Sequence, residues 1–203
     1  ISLNQPIDHN RSHIERALKT LHKRGPDAHG IYRKSKVELG HTRLSIIDTS
    51  SDANQPMTDE SGRYTLVFNG EIYNFKELKE NLKKRGVNFK TESDTEVLLY
   101  GFIHEGKSFL QKLNGFFACC FYDSIKDTSI LARDRFGIKP FYYYHNSNKF
   151  IFGSELKAIL SYPIEKAIDS NALNQYFRFN YIPAPQTIFQ SCKKLLPGHC
   201  III

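Results

Sequence analysis

No stretch of this 203-residue sequence approaches the roughly 18 consecutive apolar residues of a membrane-spanning helix, so no membrane partner is expected. Ile1 to Asn10 has neither the basic end nor the apolar run of a secretory leader. Cysteine is scarce: Cys119, Cys120, Cys192 and Cys200 are the only four, and none forms a C-x-x-C pair. That is too sparse for a disulfide scaffold at this length and fits a reducing cytoplasm. The adjacent pair, Cys119 and Cys120, should point to opposite faces of a strand. The eight histidines show no H-E-x-x-H or other metal spacing, so no metal site is expected. Zinc-finger spacing, a basic region with heptads and an aromatic RNA-binding signature are also missing. The net charge of +7 therefore needs another source. Lys83, Lys84 and Arg85 close an expected helix, where basic side chains meet the negative end of its dipole. The rest scatter, with Lys193 and Lys194 near the end and Arg133 and Arg135 flanking Asp134. No nucleic-acid partner follows.

Apolar residues make up 40% of the chain and charged residues 24%, which is ordinary for a soluble globular protein with a sizeable core. Neither a repeat nor a long linker divides it. Ser12-x-x-Glu15 reads as a capping box, followed at helical spacing by Ile14, Ala17, Leu18 and Leu21, with a stop at Gly25-Pro26. Val37 to Ile47 reads as a strand, and Tyr64 to Phe68 as another that ends in an Asn69-Gly70 turn. Asn74-x-x-Glu77 should cap a helix that stops at Gly86, and Ser93-x-x-Glu96 the next. Phe116–Tyr122, Ser129–Ala132, Pro140–His145 and Lys149–Gly153 are short β-rich runs between turn residues. Helix resumes at Ser154 to Leu160 and, behind an Asp169-Ser170 cap, at Ala172 to Phe179. This order predicts an α+β fold with largely antiparallel sheets. The Pro-rich exit through Pro183, Pro185 and Pro197-Gly198 reads as a domain border.

The polar motifs are individually bland. Asn-Gly is the usual hairpin turn, Arg43 could be any strand arginine, and Asp94 inside a helix cap suits the dipole whatever else it does. Their order is more telling. Arg24-Gly-Pro-Asp-x-x-Gly30, Gly40-His-x-Arg-Leu-Ser-Ile-Ile-Asp48, Gln55-Pro56, Phe68-Asn-Gly-Glu-Ile-Tyr-Asn74 and Ser93-Asp-Thr-Glu96 follow one another. Ala132-Arg-Asp-Arg-Phe-Gly-Ile-Lys-Pro-Phe-Tyr-Tyr143, Phe152-Gly-Ser-Glu155 and Tyr181-Ile-Pro-x-Pro185 extend the series. Together these closely resemble the glutaminase domain of glutamine-dependent asparagine synthetases, within the class II, N-terminal-nucleophile amidotransferases. The resemblance covers essentially the whole chain, and Pro26 favours the asparagine-synthetase branch.

The resemblance implies a four-layer αββα sandwich, residues 1–203 forming one amidotransferase domain, with about 185–203 leading toward a synthetase domain of the same polypeptide. It also implies glutamine as substrate. Arg43 would grip the α-carboxylate, a task suited to a planar guanidinium with two parallel donors. Asp94, with Glu71 and the Gly70 backbone, would take the α-ammonium. The Asn69 side-chain amide and the Gly70 N–H would supply the two oxyanion donors. Leu44 and Ile46 complete the implied glutamine site. The family's nucleophile is an N-terminal cysteine whose own α-amino group acts as base. Only 23 residues precede Arg24, about half a dozen fewer than the family pattern, so Ile1-Ser-Leu3 reads as the end of the first strand. The nucleophile is thus expected upstream of Ile1, and the sequence as it stands should be inactive. Cys119 and Cys120 read as core residues, while Cys192 and Cys200 lie far from the oxyanion motif. Neither a P-loop nor a Ser-Gly-Gly-x-Asp-Ser loop occurs. This domain should therefore need no cofactor, ATP and magnesium belonging to the synthetase part. A homodimer is left open. The rival readings are a non-catalytic binding module on the same fold and the same chemistry serving another carboxylate acceptor. Retention of Arg43, Asn69, Gly70 and Asp94 argues against the first.

Overall fold

The computed structural model describes residues 1–9, 13–45 and 48–203. Its centre is the antiparallel pair β4 (Tyr64–Ile72) and β5 (Gly115–Asp123), in register from Tyr64↔Asp123 to Ile72↔Gly115. β3 (Met57–Thr58) borders β4, β6 (Thr128–Arg133) borders β5, and β10 (Cys200–Ile202) closes the far edge of this five-stranded sheet. Period-two alternation divides its side chains between two cores. Leu66, Phe68, Ile72, Phe117, Cys119 and Phe121 face one way, and Val67, Ala118, Cys120, Tyr122 and Leu131 the other. Cys119 and Cys120 thus fall on opposite faces, as adjacent strand residues must.

Helices α2 (Phe75–Lys83) and α3 (Asp94–Glu105) cover the first face with Leu78, Leu82, Val97, Leu98 and Phe102. The Phe102 ring stacks on Phe121 with centroids 5.1 Å apart. Burying a side chain of this size contributes about 1.5–3 kcal/mol. The second face meets two smaller sheets. One is the hairpin of β1 (Ala28–Lys34) and β2 (Val37–Arg43). The other has the order β8-β7-β9, from β7 (Tyr142–His145), β8 (Phe150–Gly153) and β9 (Cys192–Lys194). Val37, Leu39, Phe141 and Phe150 fill the space between the layers. Outside them pack α1 (Ile14–Leu21), against β2, and α4 (Leu156–Ile159), against β8. The architecture is the αββα sandwich. α5 (Ser170–Phe179) follows, the Asp169 carboxylate accepting from the Asn171 and Ala172 amides as an N-cap should.

Several local expectations need correction. β2 ends at Arg43 rather than Ile47. Ile46, Ile47 and the capping residue Ser12 lie outside the described residues. Asn69-Gly70 is not a turn, because β4 passes straight through it to Ile72. Long-range pairing with β5 overrides the local Asn-Gly preference, with Asn69 opposite Ala118 and Gly70 opposite Phe117. Nor does Asn74 cap α2; its amide instead spans Lys112 O and Asn114 N at 2.9 and 3.0 Å. Ser93 does cap α3, but the Glu96 carboxylate serves the Lys90 and Thr91 amides, so only half of that capping box forms. β1, β9 and β10 were not anticipated. The last two weave residues beyond Pro185 into two sheets of the sandwich.

Candidate active site

The sheet made of β1, β2, β7, β8 and β9 is split. Among the named strands of the described residues β2 pairs with β1 alone and β8 with β7 alone, leaving two strand edges that flank a slot of about 750 Å³. At one end Ile1 and Phe150 exchange backbone hydrogen bonds of 3.0 and 2.9 Å, and Ser2 N–H donates to Lys36 O at 2.7 Å. The other end opens on Gly40, His41, Phe68, Asn69 and Ser154, which the slot shares with a second cavity of about 290 Å³. Arg43, Leu44, Asn69, Gly70, Glu71 and Asp94 all line that smaller cavity. The sequence therefore brought six of its seven proposed glutamine contacts to one place; Ile46 lies outside the described residues.

Strand parity explains what β4 presents there. Phe117 uses its own N–H and C=O toward Asp134, so it faces β6 and not its opposite residue Gly70. The backbone groups of residues 68, 70 and 72 accordingly turn away from β5. Phe68 N–H donates to Gln55 Oε1 at 2.6 Å and Ile72 N–H to Asp94 Oδ2 at 3.0 Å. The Gly70 N–H between them has no partner among the described residues and opens on the cavity. Beside it, Asn69 Nδ2 stands 3.4 Å from Ser154 Oγ. Glycine at 70 is required by β5 rather than by a ligand: a Cβ there would overlap the Phe116 carbonyl oxygen and come within 2.7 Å of Phe117 Cα.

Arg43 is buried at the end of β2, where Asp27 accepts Ser45 N–H at 2.8 Å and Arg43 O accepts Asp27 N–H at 3.0 Å. Its Nη1 donates to Ser50 O and Asn54 Oδ1, both at 2.7 Å, and Nη2 to Asp48 O. These bonds fix the guanidinium from its end. They leave the Nε–H without a partner among the described residues. Across the cavity, burial raises the Asp94 carboxyl above its ordinary range, and nearby Glu71 adds to the shift despite the Ile72 amide. A buried carboxylate in that state gains from an incoming cation.

Cys119 and Cys120 border the slot, but burial pushes both thiols up, Cys120 to about 12, so neither supplies thiolate near neutral pH. Cys192 is buried with its thiol also raised, and Cys200 is exposed on the edge strand β10. Among the described residues no cluster of His, Cys, Asp and Glu could hold a metal ion, and no helix is long and apolar enough to cross a membrane. Sequence reasoning gave no role to His41, Ser154 or Lys139, all of which line the smaller cavity. For His41 a signal existed, since it stands two residues before Arg43 and leaves the same face of β2.

An αββα sandwich with this cavity at one end of its central strands is the fold of the N-terminal-nucleophile class. The fold is shared with glutamine phosphoribosylpyrophosphate amidotransferase from Bacillus subtilis, solved with ADP and GMP. The two match with a TM-score of 0.65 and 22% identity over 79% of this chain and 42% of that one. The glutamine amidotransferase domain model matches residues 2–203, and the chain belongs to that family. Asparagine synthetase (glutamine-hydrolysing) 3 of B. subtilis is 39% identical over 192 residues, 93% of this chain and 31% of that protein. A putative asparagine synthetase 2 of Methanocaldococcus jannaschii is 38% identical over 206 residues, 91% of this chain and 39% of its own length. The chain therefore spans well under half of the curated relatives it matches.

Proposed function

We propose that this domain binds glutamine in the smaller cavity and hydrolyses its side-chain amide, releasing ammonia for an ATP-dependent ligase of asparagine-synthetase type. The observation that carries the reading is the outward Gly70 N–H, without a partner among the described residues, between two satisfied neighbours and adjacent to the Asn69 amide. Two donors so placed suit the negative charge that develops on a tetrahedral intermediate. The Nε–H of Arg43 takes the α-carboxylate, and Asp94 with Glu71 takes the α-ammonium.

The nucleophile in this reading is a cysteine upstream of Ile1, carried on a strand that fills the slot and joins β2 to β8. The paired bonds between Ile1 and Phe150 start such a strand in antiparallel register with β8. At about 3.3 Å per residue the half dozen residues expected upstream are enough to carry it to Ser154, beside Asn69. Its thiol adds to the amide carbon after giving its proton to its own α-amine. Collapse of the intermediate breaks the C–N bond, and the proton leaves with ammonia. Water then hydrolyses the thioester and regenerates the thiol. The ammonia acceptor, with ATP and magnesium, belongs to a ligase domain of the same polypeptide.

The test is Asn69→Ala in the complete, cysteine-bearing protein. Glutaminase kcat should fall about 10²–10³-fold. KM for glutamine should change far less, because Arg43 and Asp94 hold the other end. Synthesis from free ammonia should persist. A kcat loss below about threefold with the fold intact would reduce Asn69 to a strand residue and remove the proposal.

A further inference from the structure

His41 meets the junction of slot and glutamine cavity with a nitrogen that the scheme above leaves unused. Its Nε2 lies 3.1 Å from Phe68 O. A carbonyl only accepts, so Nε2 carries the proton and Nδ1 keeps its lone pair. Nδ1 is buried and has no partner among the described residues. Burial, with Arg43 adding its charge, outweighs the Phe68 bond and brings the imidazole down to about 4. The ring is thus neutral in one tautomer near pH 7, and its free nitrogen is an acceptor only. Anchoring Phe68 needs Nε2 alone. An unmet buried acceptor beside it lowers stability for no structural gain.

The register of the slot identifies the donor. Ser2 bridges Lys149 in antiparallel fashion and Ile1 pairs with Phe150, so a strand continued back from Ile1 sets about its fourth residue opposite Ser154. The Ser2 N–H donates to Lys36 O in the turn that leads into β2, so the same strand continued back from Ile1 runs along β2 toward His41. The strand so continued passes between Ser154 and His41, where Asn69 also stands.

We propose that His41 Nδ1 accepts a hydrogen bond from the α-amino group of the nucleophilic residue in the slot, turning the amine's lone pair toward its own thiol. This rests on the reading that the slot carries the nucleophile. His41 is then a positioning residue, acting through the amine that serves as base.

Two substitutions in the complete, cysteine-bearing protein separate the ring's nitrogens. His41→Gln puts an amide N–H where Nε2–H stood, so the Phe68 bond survives, and nothing replaces Nδ1. His41→Asn reaches only the Nδ1 position, restoring an acceptor oxygen and leaving Phe68 O unmet. The expected result is that His41→Gln lowers glutaminase kcat about 10–100-fold with KM for glutamine within about threefold. His41→Asn should keep more of kcat while melting at a lower temperature. The reverse order, with His41→Gln like the parent, would make the ring a structural anchor and overturn the inference. Should both variants fail to fold, histidine ¹⁵N NMR of the unmutated protein decides. Its Nδ1 resonance should shift between the protein beginning at Ile1 and the cysteine-bearing form, and an unchanged free-acceptor signal overturns the proposal. A parent that neither releases ammonia nor reacts with a chloroketone analogue of glutamine would remove the nucleophile reading itself. An active parent with an unaffected His41→Gln variant removes only this one.

Discussion

The two ends of the β4–β5 ladder are built from the same strands and treated in opposite ways. At the Tyr64↔Asp123 end the buried carboxylate is fully matched. The Asp123 carboxylate accepts Arg63 Nε and Nη2 at 2.8 and 2.7 Å and the Ile125 and Lys126 amides at 3.0 and 3.2 Å. Arg63 also lies over the Tyr64 ring, 4.6 Å from its centroid. At the other end the Gly70 N–H, His41 Nδ1 and Arg43 Nε have no partners among the described residues, and burial raises the Asp94 carboxyl instead of lowering it. A strand pair can hold its register from one satisfied end and expose binding groups at the other. The stability given up near Asn69 is of the kind functional sites carry, with the rest of the fold keeping the geometry.

The largest effect should come from breaking the close approach that turns the Gly70 N–H outward. In Gly70→Ala the new Cβ would overlap the Phe116 carbonyl oxygen, which belongs to a paired strand and cannot move alone. We expect a loss of about 3 kcal/mol or more in urea denaturation, or failure to fold. Gly153→Ala is the control, since its Cβ would make only a 3.5 Å contact with Ala158 Cβ. It should stay within about 0.5 kcal/mol of the parent. Equal behaviour of the two variants would show that β4 and β5 are not in the register described.

A smaller effect on the fold, and a large one on the ligand, is expected for Asp94→Asn. The amide oxygen can still accept from Ile72 N–H, so the helix and strand remain joined. The sign at this residue is that of a raised carboxyl. Without ligand it costs nothing below about pH 3.8, and the cost grows as pH rises through its raised folded value. The neutral variant should therefore match or slightly exceed the parent's melting temperature at pH 7. It should also lose most of the upward shift that millimolar glutamine gives the parent. Retention of that shift would exclude Asp94 as the ammonium site.

How much of this was legible beforehand depended on whether the information was local. α2, α3 and α5 and strands β5 to β8 showed as periodic apolar runs between turn residues. β1 did not, because as an edge strand it buries none of its residues fully. β9 and β10 are three residues each and owe their state to partners far along the chain. Arg43, Asn69, Gly70 and Asp94 were readable through ordered motifs that resemble a family. That Gly70 sits in mid-strand was not, since Asn-Gly locally signals a turn and only pairing with Phe117 decides otherwise. His41 was signalled only by its spacing from Arg43, and Ser154 acquires meaning from a separate strand end that meets Asn69, which no local pattern encodes.

The smallest expected effect belongs to the satisfied end and has the opposite pH sign. The Arg63 guanidinium, and then the Lys126 and Ile125 amides, bring the Asp123 carboxyl down from 3.8 to about 2. A depressed carboxyl binds fewer protons folded than unfolded. Its contribution is therefore full above about pH 3.8 and is lost as pH falls toward 2. The Arg63 side chain is 28% exposed, so solvent screening keeps the contribution of this ion pair modest. Thermal melts from pH 7 to pH 2 check it. Asp123→Asn should melt below the parent at pH 5 to 7, and the gap should narrow between pH 4 and 2 as the parent's carboxylate takes up its proton. Asp94→Asn should already lose whatever advantage it has at higher pH, as pH falls toward about 3.8 and the parent's cost vanishes. The two variants would then approach the parent from opposite sides. A gap for Asp123→Asn that stays constant down to pH 2 would mean the carboxylate charge contributes nothing and only the hydrogen-bond geometry matters. The contrast between the two ends of the ladder would then be one of packing rather than of charge.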